Sequence, residues 1–231
     1  MRLAVIPARG GSKRIPRKNI KVFHGKPMIS YAIGAALGSK AFDRVIVSTD
    51  DPEIAEVAKA HGAELPFTRP PELADDHTPT VPVIAHAIRA CDELGWNVSE
   101  VCCIYPGVPF ISVIDLRVAY QQLLFAGTNY VFAVTEFPSP IQRALRRLSD
   151  GTVSPFQPEH AATRTQDLEP GYFDVGQFYW GRKKAWIEGL NIHLNGTALV
   201  IPEWRALDID TPADWERAEL LYATLLEKGL L

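Results

Sequence analysis

The stretch Val5–Pro27, VIPARGGSKRIPRKNIKVFHGKP, decides how this chain folds and what it can hold. An apolar run, Leu3 to Ile6, stops at Pro7 and opens into a loop with Gly10, Gly11 and seven cations: Arg9, Lys13, Arg14, Arg17, Lys18, Lys21 and Lys26. The first acidic residue is Asp43. Glycines let backbone N–H groups come close to a ligand, and fixed cations offset phosphate charge. The loop therefore reads as a nucleoside triphosphate site, with a solvated basic loop as the structural alternative. Arg9, Ser12 and Lys13 would lie near the phosphates, with Lys18 reaching back from the far end. Pro7 and Pro16 limit the freedom lost on closing over a ligand. Neither the Walker loop G-x-x-x-x-G-K-[ST] nor the dinucleotide fingerprint G-x-G-x-x-G is present.

Outward from this loop the chain alternates short apolar runs with helical patterns. Pro27 is expected at the first position of a helix carrying Ile29, Ala32, Ile33, Ala36 and Leu37 on one face. RVIVS (44–48) reads as a second strand, and Asp50-Asp51-Pro52-Glu53 as the cap and first turn of a helix running to Gly62. Ala63 to Phe67 is a short extended piece. A polar loop with Arg69, Glu72, Asp75 and Asp76 leads to a helix starting at Thr78-Pro79. VCCIY (101–105), a helix over 112–126 and YVFAVT (130–135) complete the rhythm. The pattern predicts an α/β domain, a mainly parallel sheet with helices on both faces and ligands at the carboxyl ends of the strands. After Phe137 the rhythm breaks. Residues 138–170 are proline-rich and polar, with a short strand at 144–148, and read as an excursion from the sheet or a dimerisation arm. Strand-like pieces follow at 172–180 and 198–201, and Thr211-Pro212-Ala213-Asp214 caps a final helix.

The bulk numbers agree with one domain spanning 1–231. The 231 residues are 47% hydrophobic and 22% charged, enough for a sizeable core. Net charge is −3, which excludes a nucleic-acid glove, but it is unevenly spread. Residues 1–42 hold nine Lys or Arg and no acid, and the rest holds fifteen against twenty-seven, a balance of −12. A basic patch on an acidic body suits a local anionic ligand. Cys91, Cys102 and Cys103 form no paired framework, and adjacent Cys102 and Cys103 would face opposite sides of a strand. Buried reduced thiols in a cytoplasmic protein are the expectation. No run approaches the ~20 apolar residues of a membrane span, and no signal peptide is visible.

Two further segments carry candidate chemistry. Leu207-Asp208-Ile209-Asp210 alternates at period two, so both carboxylates would share a face while Ile209 points inward. Beside a triphosphate, paired carboxylates suit Mg²⁺; a helix-capping acid with a surface neighbour is the alternative. In FDVGQFYW (173–180) the aromatics read as core or pocket wall, and Asp174 and Gln177 as groups able to hydrogen-bond a hydroxyl or acetamido substituent. The six histidines show no metal-ligand spacing and read as structural or surface residues.

IPARGGSKRIPRKNI followed by GKP resembles the N-terminal signature of the sugar-acid cytidylyltransferases, the CMP-N-acetylneuraminate synthetase family. RPPELADDHT, IYPGVPF and LDIDTPADW resemble its later motifs, in order and over almost the full length. FPSPIQRAL with YFDVGQFYWG most resembles the branch that activates pseudaminic acid; the N-acetylneuraminate enzymes tend to have R-x-N-G in place of FDVGQ. The resemblance implies a Rossmann-like nucleotidyltransferase sheet, with 138–170 exchanged across a homodimer. CTP would lie over Ala8, Arg9, Gly10, Ser12 and Lys13, with Arg9 and Lys18 on the phosphates and Asn19 near ribose or phosphates. Arg69 and Thr80 would meet cytosine or ribose, and Asp208 and Asp210 would hold Mg²⁺. Tyr105, Gln166, Asp174 and Gln177 would line the sugar pocket, with Arg164 and the neighbouring subunit's copy of Arg143 meeting the sugar carboxylate.

The implied reaction is transfer of CMP from CTP to the anomeric hydroxyl of a nonulosonic acid, releasing pyrophosphate, with Arg9, Lys18 and Asp208 as the catalytic residues. Its product would be an activated sugar for surface glycan or flagellin glycosylation. Legionaminic, N-acetylneuraminic and 3-deoxy-manno-octulosonic acids are the rival acceptors. A catalytically silent nucleotide-binding regulator on the same fold is the rival of another class. The family pattern P-T-S/A-P after the fourth strand is here Pro106-Gly107-Val108-Pro109, a departure that bears on the sugar rather than the reaction.

Overall fold

The computed structural model describes residues 1–230. Its elements, in chain order, are β1 (Arg2–Pro7), β2 (Val22–Phe23), β3 (Lys26–Pro27), α1 (Ile29–Ser39), β4 (Arg44–Ser48), α2 (Pro52–Ala60), α3 (Thr80–Glu93), β5 (Glu100–Ile104), α4 (Val113–Phe125) and β6 (Tyr130–Glu136). Then come β7 (Leu145–Arg147), β8 (Val153–Pro155), β9 (Tyr172–Arg182), α5 (Lys183–Glu188), β10 (Gly196–Val200) and α6 (Pro212–Glu227). Six strands form one sheet in the order β10-β6-β9-β5-β1-β4. β1 pairs in parallel with β4 and β5, and β6 with β10.

Both faces of this sheet are covered, so its central parallel strands are buried as continuous apolar runs rather than alternating. Leu3, Ala4, Val5 and Ile6 are all fully buried. Ala4 and Ile6 pack with α1 and α4, whereas Leu3 and Val5 face α3 and α5. Cys102 and Cys103 divide in the same way, one to each face, and all three cysteines are buried free thiols. A third cluster lies at the end of the basic loop. There Ile15, Phe23, Met28, Phe110, Leu207 and Ile209 pack against Trp215, Ala218 and Leu225 of α6. It ties the two ends of the chain together at the carboxyl edge of β1.

Helix boundaries follow their caps. Asp51 accepts from the N–H groups of Glu53 and Ile54, and Pro52 opens α2. Thr211 and Asp214 form a reciprocal capping box at α6. Pro27 departs from expectation. It pairs with Val22 in a two-stranded hairpin whose turn, His24 (φ 43°) and Gly25 (φ 81°), has the left-handed pair that tight hairpins favour, and α1 starts only at Ile29. Ala63 to Phe67 makes no strand; one parallel bridge joins Ile46 to Glu64.

β9 is the antiparallel member, set between β5 and β6. The cause is topological. The chain leaves the sheet at the carboxyl end of β6 and returns at the same edge, Glu136 opposite Tyr172, so it must run downward. The intervening segment folds only the small hairpin β7–β8, and none of residues 137–171 is buried. Among the described residues no helix is long and apolar enough to cross a membrane.

The tightest packing in the sheet falls at Gly181, where an added Cβ would lie 2.6 Å from the Tyr130 ring and collide with the Trp186 indole N–H. Gly181→Ala should destabilise the protein by about 1–3 kcal/mol through overpacking. Urea unfolding would show this as a lower midpoint at unchanged slope; an unchanged midpoint would contradict the packing described.

Candidate active site

The carboxyl ends of β1 and β5 open into one cleft with three lobes. The first, about 200 Å³, is lined by Arg9, Ser12, Lys13, Arg14, Lys18, Asn19 and Asp210. The second, about 320 Å³, shares Arg9 and adds Arg69, Asp75, Asp76, Thr80 and Tyr105. The third, about 250 Å³, shares Lys18, Tyr105 and Asp210 and adds Gly107, Gly176 and Asp208. None alone would enclose a nucleotide and a sugar, but the shared walls make them continuous. A larger apolar groove between Phe110, Trp204 and Tyr222 has one cation, Arg205, whose guanidinium is 2.5 Å from Asp115.

The basic loop is held open by acids from elsewhere. Arg17, at φ 55°, binds Asp51 and Glu53 at the start of α2. Gly10 donates its N–H to Asp50 at 3.3 Å and lies so close to Asp51 that a Cβ would collide with that carboxylate. The Asn19 side-chain amide donates to the Arg9 carbonyl at 3.0 Å, and Lys21 sits 4.3 Å over the Trp215 ring. Ala8 is fully buried, its N–H bonded to the Ser48 carbonyl. Of the residues expected on the phosphates, then, Arg9, Ser12, Lys13, Lys18 and Asn19 line the cleft. Ala8 and Gly10 instead anchor the loop.

The cleft cations face carboxylates. Arg9 is 2.5 Å from Asp76 and donates to the Asp75 carbonyl at 2.7 Å, while Lys13 pairs with the other Asp76 oxygen. Lys13, then Arg9, hold the Asp76 carboxyl below the usual range. Arg14 is 2.6 Å and Lys18 3.3 Å from Asp210, and Lys18 also donates to the Ile209 carbonyl at 2.8 Å. The Asp208–Asp210 segment belongs to no strand, yet it alternates as expected: Ile209 is 1% exposed and both acids face outward. Arg205–Asp115 fixes the segment from below, and the Asp210 N–H bonds Asp214 at 3.2 Å.

Asp208 is open to the cleft but crowded. Desolvation first, and the Asp210 charge next, push its pKa up, with Lys18 opposing. Two hard oxygen donors that repel each other fit a divalent cation, with phosphate oxygens and water completing the shell. Among the described residues there is no group of three or more His, Cys, Asp or Glu that could hold a metal ion.

Arg69 is 4% exposed, its Nε 3.1 Å from Ser48 Oγ and another nitrogen on the Ser48 carbonyl. Burial pushes it down to about 10. It shares its lobe with Thr80, whose hydroxyl meets that of Tyr105 at 2.7 Å; burial pushes the Tyr105 phenol up to about 12. The expected sugar residues divide. Tyr105 lines the cleft. Gln177 is 2% exposed and donates to the Arg205 carbonyl at 2.5 Å, beneath the Asp208 segment. The Asp174 carboxylate turns to Gly176, Tyr179 and His193. Arg143, Arg164 and Gln166 lie on the exposed excursion and line none of the three lobes in their own chain. Sequence reasoning assigned no role to Asp76 or His193. The acid pair 75–76 facing a cation-rich loop was the available signal for the first; nothing local marked the second.

The sequence model of the family described as cytidylyltransferase matches residues 3–168. The chain is 43% identical over 221 residues, 95% of each chain, to a protein of Campylobacter jejuni subsp. jejuni serotype O:2 named pseudaminic acid cytidylyltransferase. It is 32% identical over 227 residues, again 95% of each, to the CMP-N,N'-diacetyllegionaminic acid synthase of Legionella pneumophila. A solved CMP:2-keto-3-deoxy-manno-octonic acid synthetase complexed with CTP has the same fold, with a TM-score of 0.70 at 20% identity, covering 96% of this chain and 98% of that one.

Two outcomes follow from the charges. Asp76→Asn should free Arg9 and Lys13 and tighten tripolyphosphate binding about two- to fivefold, the size of an exposed ion pair. Calorimetry at fixed ionic strength reads this, and unchanged or weaker binding would contradict it. Because its folded pKa is raised, ionised Asp208 weakens the ligand-free fold above the usual carboxylate range. Asp208→Asn should therefore melt higher than wild type at about pH 7 without divalent cations, the gap closing as pH falls toward about 4. A lower or equal melting temperature at neutral pH would refute that electrostatic origin.

Proposed function

The chain belongs to the cytidylyltransferase family, and we propose that it transfers CMP from CTP to the anomeric hydroxyl of a nonulosonic acid, with pseudaminic acid the favoured acceptor. The observation that carries this reading is the meeting, at one strand end, of Lys18 with Asp208 and Asp210. A cation-rich lobe thus adjoins a carboxylate pair, and the lobe that holds the pair also offers the uncharged surface of Tyr105, Gly107, Val108 and Gly176. Identity of 43% across 95% of the Campylobacter relative supports the acceptor, and the more distant Legionella relative keeps legionaminic acid as second choice.

In this reading the triphosphate enters the first lobe and replaces Asp76 as the partner of Arg9 and Lys13. Arg69 and Thr80 receive cytosine and ribose. The acceptor lies in the third lobe against Tyr105, Gly107 and Gly176. Its C2 hydroxyl oxygen bonds to the α-phosphorus, the bond from that phosphorus to the bridging oxygen breaks, pyrophosphate leaves and the hydroxyl proton passes to solvent. Arg9 and Lys18 offset the charge growing on the leaving group. Mg²⁺, when bound, would be held by Asp208 and Asp210 and would neutralise phosphate charge.

We assign 138–170 to a homodimer contact through which Arg143, Arg164 and Gln166 reach the partner's cleft. Support comes from Ile141, Leu145, Leu148, Val153 and Phe156, all large, apolar and exposed on this segment. The cytoplasm is the proposed location, since three buried free thiols suit a reducing compartment.

The test is pyrophosphate release from CTP and Mg²⁺ with pseudaminic, legionaminic, N-acetylneuraminic and 3-deoxy-manno-octulosonic acids in turn. Pseudaminic acid should give the highest kcat/KM, and Lys18→Ala should lower kcat about 10²–10³-fold. CTP binding without release for any sugar would overturn the enzymatic reading.

A further inference from the structure

Asp174 and His193 form a pair just behind the acceptor lobe. On β9 the register slips: Tyr179 lies opposite Phe132 of β6, but Asp174 lies opposite Val134. Two steps on β6 therefore answer five on β9, and 175–178 bulge out of that ladder. Gly176, within the bulge, has φ +66°, lines the acceptor lobe and sits so that a Cβ would be 3.9 Å from the Tyr105 ring.

Asp174 stitches the bulge shut. Its Oδ1 accepts the Gly176 N–H at 2.8 Å. Its Oδ2 accepts the Tyr179 hydroxyl at 3.0 Å and lies 2.7 Å from His193 Nε2. The Tyr179 ring packs 5.5 Å from Tyr105, whose hydroxyl reaches Thr80. His193 comes from the loop before β10, its ring edge-on to Phe132 at 5.2 Å and its side chain 60% exposed on the outer side. A continuous line of hydrogen bonds and ring contacts thus runs from an outer loop to the wall shared by two lobes of the cleft.

We propose that Asp174 and His193 are positioning residues: the carboxylate–imidazole pair holds the 174–179 bulge and so sets Gly176 and Tyr105 where the acceptor sugar packs, without touching the sugar. Both oxygens of Asp174 are already directed at protein donors, so its contribution to acceptor recognition is made through the backbone it shapes. The proposal rests on reading the third lobe as the acceptor's place.

His193→Ala and His193→Gln, in the full-length protein, test it. His193→Ala should raise KM for pseudaminic acid about five- to tenfold, the weight of one solvent-screened hydrogen bond. kcat and KM for CTP should stay within about twofold. His193→Gln retains an N–H donor for Asp174 and should recover most of the loss. Independently of turnover, hydrogen exchange at the Gly176 amide should quicken about tenfold in His193→Ala without ligands. Unchanged acceptor KM, an equal rise in KM for CTP, or unchanged Gly176 exchange would overturn the proposal. If wild type itself turned over no sugar, the functional reading would fail while the exchange measurement still decided the bulge.

Discussion

The bond from Lys18 to the Ile209 carbonyl, reinforced by Asp210, is the contact on which the rest depends. It joins residues 191 positions apart and closes the site from both ends of the chain. Beneath it, Ile15 and Ile209 share one apolar cluster with α6, so the loop and the carboxylate segment cannot shift independently. Above it, the same ammonium faces both the first and the third lobe. A charge on a flexible stem gains direction when a backbone carbonyl fixes one of its protons, and that is what Ile209 does here.

The ligand-free cleft is an array of internal ion pairs rather than a set of bare cations. Four cations of the loop are shared between Asp76 and Asp210, and Arg17 is spent on Asp51 and Glu53. Without such partners the loop would repel itself. With them, entry of a polyphosphate exchanges one set of anions for another, which keeps the change in net electrostatic energy small and release feasible. Arg69 is different: its guanidinium is buried against neutral oxygens of Ser48, so part of its desolvation cost stays uncompensated.

Much of this was legible because it is local. β1 is apolar throughout because both its faces are covered; Asp51-Pro52 caps a helix wherever it falls; Asp208-Ile209-Asp210 alternates because Ile209 alone fits the core beside Trp215. What escaped was a contest between two local signals at Pro27, and elsewhere a dependence on where other parts of the chain arrive. Pro27 carried a helix-start signal, but the His24-Gly25 turn, two residues before it, won the backbone for a hairpin. The direction of β9 follows from where the excursion rejoins the sheet, not from any property of its residues. Asp174 and Gln177 looked like free hydrogen-bonding groups because their partners are set by the bulge that brings Tyr179 back to Asp174 and by the loops that carry His193 and the Arg205 carbonyl.

The excursion begins and ends on one rung of the sheet, where the Phe137 N–H bonds the Gly171 carbonyl at 2.9 Å. With its two ends pinned together, the length of chain between them matters little to the fold, since closure entropy grows only with the logarithm of loop length. That rung is therefore a permissive junction. Lineages can lengthen, shorten or replace what hangs from it while the rest of the sheet stays under separate constraint. A protein engineer could use the same junction to graft a foreign module beside an intact nucleotide cleft.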